Sequence, residues 1–497
     1  MGLVQKDALR TMIISYIGIV LGYLNKGFLF IIILSTAQIG LVNLIYSVGV
    51  LFAQFANMGT IYTTWRFFPV FRNESRKHHG FLPLMILFVL VGIVLCTLAT
   101  FFFRDEIEQL YLEKSPDFVD YYVWFIPIGI STVFFLVFEV YLRGLYKNII
   151  SVFANEIVLR LALTMILGIY WMKWVSFSTF VILHSLIYFI PVLMLLIYMV
   201  RIGEFNIKLS SIQISKRFRR ILVKSSSYFY INTLGLVIVA SLDVVMLAQM
   251  DGLESTGIYS TVLFLASALQ VPYKSIIRIS APLVSEHWKN RQFGEIKSLY
   301  IKISSVSLTI GLGLFLFTWL NIDFLFSFLK PEFSLGIWVF FFIMMGRIFD
   351  MYCGINSSIF TSSKKYKYDV YFTVSLILIV YFLNLLFIPV WGMNGAAIST
   401  SIALALVNLG RLIFVWNILK MHPFTWNQVT VIFAGLLTLT SGTFIQNYIQ
   451  EGWILFFCES ILVLALFIFP VYYLKLDTEI VNYTNKLLGV IFKRSGK

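Results

Sequence analysis

The sequence predicts an all-α polytopic membrane protein of about fourteen transmembrane helices. They divide into two six-helix lobes related by an axis along the membrane normal, plus two C-terminal helices. Three observations carry this prediction. The 497 residues are 59% hydrophobic and 12% charged, with a mean hydropathy of +0.88, whereas a soluble chain carries about 25% charged residues. Apolar runs of about 20 residues recur from end to end, each long enough to cross a hydrocarbon core of about 30 Å. The segments between them alternate in charge, as positive-inside topology requires. An outer-membrane barrel would show short alternating segments instead, and these are absent.

Taken in order, the spans fall at 9–35, 41–62, 81–103, 121–142, 151–172, 176–200, 222–249, 256–278, 300–322, 333–358, 368–388, 393–418, 426–447 and 452–474. The first run, Met12 to Leu34, is too long for a cleaved signal peptide and lacks a small-residue cleavage site, so a retained N-terminus is expected. One set of connections is basic, with Arg66, Arg72, Arg76 and Lys77 in the first inward loop and Lys216, Arg217, Arg219 and Arg220 in the longest linker. The other set is neutral or acidic, with Asp105, Glu106, Glu108, Glu113, Asp117 and Asp120 in one loop and Glu451 in the last. The basic set should face the cytoplasm, which puts both termini there and demands an even number of spans. The net charge of +14 is thereby explained by topology, and no nucleic-acid partner is expected.

The domain reading follows. Residues 1–202 form an N-lobe, 203–221 a basic cytoplasmic linker and 222–420 a C-lobe. Residues 421–475 are peripheral spans and 476–497 a basic tail. The linker reads as a topology anchor that contacts lipid headgroups, or as a hinge segment. Every outward loop is short, which disfavours a membrane glycan polymerase or ligase, whose active site would need larger external loops.

The halves repeat. Gly40 follows Lys26 by fourteen positions, and Gly257 follows Asp243 by the same interval, so the two frames align without a gap about 217 positions apart. Further on, Arg66-Phe67-Phe68-Pro69 loosely matches Arg278-Ile279-Ser280-Ala281-Pro282. Glu139-Val140-Tyr141 before Gly144 matches Asp350-Met351-Tyr352 before Gly354. Six spans is an even number, so both copies enter the membrane in the same orientation, with a substrate path expected between lobes.

Charges inside the spans supply the candidate site. A charge at mid-membrane costs about 2.5–3.5 kcal/mol even on lenient scales, so such residues usually serve a function. Glu139 and Arg143 are four apart, as are Glu156 and Arg160, and Arg347 and Asp350 are three apart, so each pair shares a helix face. These pairs either neutralise each other or line a wet cavity. Lys26 has no acidic neighbour on its helix and Asp243 no basic one. They either approach each other or each meets a local partner. Lys26, Arg160, Arg347 and Arg411 are candidate substrate-binding cations, because guanidinium groups grip phosphate through paired hydrogen bonds. Arg411 has a snorkelling role as its alternative, and His184 a packing role. Cys96, Cys353 and Cys458 lack metal-ligand or redox spacing and read as small core residues. The five histidines form no zinc motif, and no metal or cofactor is expected.

The runs Ser241-Leu242-Asp243-Val244-Val245-Met246-Leu247, Gly257-Ile258-Tyr259 and Ile388-Pro389-Val390-Trp391-Gly392-Met393-Asn394-Gly395-Ala396-Ala397-Ile398-Ser399-Thr400 resemble polysaccharide (O-antigen type) flippases of the multidrug/oligosaccharidyl-lipid/polysaccharide exporter superfamily. In physical terms, Pro389 ends one helix of the last run, its glycines permit a tight reversal, and Gly395-Ala396-Ala397 lets helix backbones pack closely. The resemblance covers essentially the whole chain in span count, lobe division and tail helices. It implies a V-shaped pair of bundles opening alternately to either side of a bacterial inner membrane. The implied cargo is a polyprenyl-diphosphate-linked oligosaccharide, with glycan polymerase machinery as a candidate partner. With no Walker-type glycine loop, transport would draw on an ion gradient, H+ or Na+, or on consumption of product outside. Asp243, Glu139 and Asp350 are the candidate coupling carboxylates. A drug/cation antiporter of the same superfamily and a lipid II flippase stand as alternatives.

Overall fold

The computed structural model describes residues 3–73, 78–208, 216–363, 365, 367–450, 452–477 and 479–481. Arg76, Lys77, linker residues 209–215, Lys364, Glu451 and residues 482–497 of the basic tail lie outside the described residues. Among the described residues every regular element is helical.

Spans 1–7 are Leu9–Ile33, Thr36–Ala56, His78–Phe102, Pro116–Gly144, Ile149–Trp171, Phe177–Arg201 and Tyr230–Met250. Span 8 is the bent pair Leu253–Ala268 and Val271–Lys289, turned by 56°. Pro272 sits at the start of its second half, where a missing N–H costs nothing. Spans 9 and 10 are Phe293–Leu320 and Pro331–Cys353, and spans 13 and 14 are Trp426–Gln446 and Trp453–Tyr473.

Lys367–Leu419 is a run of 53 residues of nearly continuous helix. At 1.5 Å per residue it would reach about 80 Å, more than twice the membrane core. Gly392, at φ 53° and ψ −131°, breaks it. A Cβ on Gly395 would strike the Phe387 carbonyl oxygen, so the chain doubles back there. Residues 367–391 and 393–419 are therefore spans 11 and 12, which brings the described spans to the expected fourteen. The sequence reading ends span 11 at Pro389. The helix instead runs on to Gly392, because the reversal needs a positive φ that glycine tolerates and proline cannot adopt.

Local chemistry sets the other boundaries. Ser35 and Gln38 form a reciprocal capping box that stops span 1 and starts span 2. At the start of span 13 the Gln428 side chain accepts from the Thr425 backbone N–H at 2.9 Å, and the Ser176 hydroxyl caps span 6.

The chain packs as two compact units, Met1–Thr261 and Val262–Lys497. In the first, span 2 lies against spans 3, 4 and 7, and span 1 runs along span 5. In the second, span 10 packs on span 9 and on the span 11–12 hairpin, while spans 13 and 14 lean on span 9. Tyr300, Val284, Ile296, Ile359, Phe360 and Val415 are fully buried in a core of the second unit. Val20, Leu98, Phe433 and Ile454 are apolar yet exposed. Such outward apolar surface is what a bilayer solvates and water does not.

Candidate functional site

Two polar clusters interrupt the apolar spans, one in each unit. In the first unit the backbone prepares the site. Span 1 contains a π-helical turn at Asn25–Leu29, and span 5 contains another at Ala154–Val158. Such turns insert an extra residue and cluster at functional positions. Lys26 sits in the first and Glu156 in the second, with Arg160 just beyond it. Asn25, only 1% exposed, ties the two together. Its amide donates to the Arg160 carbonyl at 2.8 Å, and its oxygen accepts from the Thr164 hydroxyl at 2.7 Å.

The cations are handled differently. Arg160 pairs with Glu156 at 2.5 Å and donates to the Gly18 carbonyl. Gly18 and Gly22 on span 1 leave the room that Glu156 and Arg160 fill, since a Cβ at either position would collide with them. Lys26 has neutral partners. Its ammonium reaches the Asn43 side-chain oxygen at 3.4 Å and lies over the Tyr46 ring, 4.9 Å from the centroid. It also lies close enough to Arg160 for mutual repulsion. The cluster is thus net positive, and Lys26 is its least neutralised member.

His184 is 2% exposed and packs against the Phe180 and Tyr188 rings. Glu139 pairs with Arg143 on its own helix. Asp243, 5% exposed, accepts from the Tyr259 hydroxyl at 2.6 Å. Lys26 and Asp243 thus each meet a residue on the following helix, Asn43 and Tyr259.

The repeat frame acquires a geometric meaning. The Asn43 amide donates to the Ser260 hydroxyl at 3.0 Å, across a separation of 217 positions. A Cβ on Gly40 would strike the Leu253 carbonyl, and one on Gly257 would strike the Thr36 carbonyl. Each contact is the image of the other under the repeat offset. Span 2 and the start of span 8 therefore cross at equivalent residues, as two copies do at a local two-fold axis. Asn43 joins this crossing to Lys26.

In the second unit, Arg411 is paired with Asp369 at 3.0 Å, with side-chain exposures of 12% and 3%. The guanidinium is thus drawn to a buried carboxylate on the neighbouring span. Asp350 accepts from the Asn408 amide at 2.8 Å. Among the described residues no ion pair joins it to Arg347. Arg347 instead lies near a second cation, Lys274. Asn25, Asn43, Asp369 and Asn408 escaped the sequence reading. A signal existed for Asp369 alone, which lies about as far before Gly392 as Arg411 lies after it and so at similar depth.

Residues 4–288, more than half of the chain, match the family described as "Polysaccharide biosynthesis protein". No curated relative matches the chain. Among solved structures, the lipid II flippase MurJ in an inward closed conformation is similar, at 14% identity and a TM-score of 0.71. The likeness covers 95% of this chain and 99% of that one. An inward-facing multidrug resistance MATE transporter of the MOP superfamily is similar at 13% identity and a TM-score of 0.63, covering 86% and 96%. A MOP superfamily transporter from Pyrococcus furiosus follows at 14% identity and 0.56, covering 84% and 96%. At these identities the likeness speaks for the fold, which matches the expectation from sequence. The chain belongs to the polysaccharide biosynthesis protein family.

Proposed function

We propose that this protein is a flippase that moves a polyprenyl-diphosphate-linked oligosaccharide from the cytoplasmic to the outer leaflet by alternating access. The observation that carries the reading is Lys26, an ammonium inside span 1 with only neutral hydrogen-bond and ring partners. Such a charge in a membrane interior calls for an anion, and a diphosphate is the anionic group of the proposed cargo. Arg160 stands beside it as a second donor, partly neutralised by Glu156. Arg347, near Lys274, is the corresponding cation of the second unit. Arg411 is paired with Asp369 and becomes a structural residue in this reading.

Ion coupling is part of the same proposal. Asp243, which accepts from the Tyr259 hydroxyl, and Asp350, which accepts from the Asn408 amide, are its candidate carboxylates. Glu139 is spent on Arg143 and ranks behind them. A lipid II flippase is the second reading, favoured by the likeness to MurJ over nearly the whole chain. Depleting the protein and identifying the lipid-linked sugar that accumulates on the cytoplasmic leaflet tests both. A polyprenyl-linked oligosaccharide supports the first and lipid II the second. No accumulation together with altered drug tolerance would turn the assignment to a drug antiporter.

A further inference from the structure

The ends of spans 9 and 13 and the start of span 14 enclose a cavity of about 150 Å³. Asn321, Asp323, Gln446 and Glu459 line it, with Phe324 and Leu455 as apolar walls. Asn321 and Glu459 are each 1% exposed, and Asp323 stands exposed at the rim.

The hydrogen-bond accounting is one-sided. The Gln446 amide donates to Glu459 Oε1 at 2.7 Å and to the Leu320 carbonyl at 3.1 Å, which uses both of its hydrogens. The Asn321 amide donates to the Phe317 carbonyl at 2.7 Å. Asn321 Oδ1 is buried with no partner. These residues turn acceptor oxygen to the cavity: the unpartnered Asn321 Oδ1, the second Glu459 oxygen and the Asp323 carboxylate. A buried acceptor without a donor is costly, and so is a carboxylate held inside a membrane span. One positive ion resolves both.

We infer that this cavity binds a hard monovalent cation, Na+. Oxygen-only ligation selects hard ions. A single buried carboxylate, with the second at the rim, falls short of the charge that Ca2+ sites gather. The site shares no residue with the coupling candidates Asp243, Glu139 and Asp350, and the inference stands apart from the transport reading. It gives spans 13 and 14 a role beyond peripheral packing, as a cation-dependent clamp on span 9.

The test is the melting temperature of the full-length protein in detergent, with NaCl titrated against choline chloride at constant ionic strength and CaCl2 as a separate arm. A saturable rise with Na+ is expected. It should vanish in Glu459→Gln, and its half-saturation should move several-fold higher in Asp323→Asn. Insensitivity of the wild type to Na+ would overturn the inference. So would a response undiminished in Glu459→Gln, or a Ca2+ response at lower concentration than that to Na+. If Glu459→Gln does not fold, Asp323→Asn decides, because its exposed side chain can be changed without harm to packing. An unshifted half-saturation there sinks the site.

Discussion

Lys26 and Arg411 are both cations inside spans, yet the structure treats them in opposite ways. Arg411 is locked to Asp369 with both side chains largely buried. Removing one partner of a buried pair leaves an uncompensated charge, so Asp369→Leu should cost about 3 kcal/mol. Adding Arg411→Leu should recover most of that loss, as read from melting temperatures around the double-mutant cycle. Lys26, held only by Asn43 and Tyr46, should matter little to stability and much to cargo. A hydrogen bond to a charged group is worth about 1.5–3 kcal/mol. Lys26→Gln should therefore weaken cargo binding roughly tenfold to a hundredfold at an unchanged melting temperature, with Lys26→Arg restoring part of it. The difference between the two cations was half legible in the sequence. Lys26 declares itself because no acid lies on its own helix. Asp369 is 42 positions from Arg411, and only the hairpin at Gly392 brings them level. Asn43 looks like any polar residue in an apolar run until its two partners are seen.

At the scale of elements, the crossing of span 2 with the start of span 8 depends on two glycines. Each leaves room for a carbonyl of the other helix where a side chain would collide, a close approach typical of membrane helices. Gly257→Leu should force the helices apart. A disulfide between Asn43→Cys and Ser260→Cys, in a background without Cys96, Cys353 and Cys458, should form readily when Gly257 is intact and be lost in Gly257→Leu. Undiminished cross-linking would show that the crossing tolerates the added bulk. The interval from Lys26 to Gly40 and from Asp243 to Gly257 was readable because a gapless repeat preserves it. The π-turns were not. One extra residue in a turn leaves no mark in composition, and the reasons for it, Asn25 against Arg160 and Thr164, lie on another span.

For the whole molecule, the count of fourteen spans was legible because membrane length and apolar run length are tied by geometry. The lobe boundary at 203–221 is a proposal, and the compact units divide the chain after Thr261. The even span count implies that both chain ends face the same side. Single cysteines near residue 10 and beyond 475, probed with an impermeant thiol reagent, should therefore share accessibility, and the reversal at Gly392 should lie on the opposite side. Opposite labelling of the two ends would break the fourteen-span topology. The central claim, translocation of an anionic lipid-linked glycan held by Lys26, is tested most directly in proteoliposomes. The measurement is the rate at which a polyprenyl-diphosphate-linked oligosaccharide becomes accessible to an impermeant probe on the opposite leaflet. The predicted result is movement that requires the protein, falls at least about tenfold in Lys26→Gln and recovers in part in Lys26→Arg. Equal rates with and without protein, or a Lys26→Gln variant as fast as wild type, would contradict it.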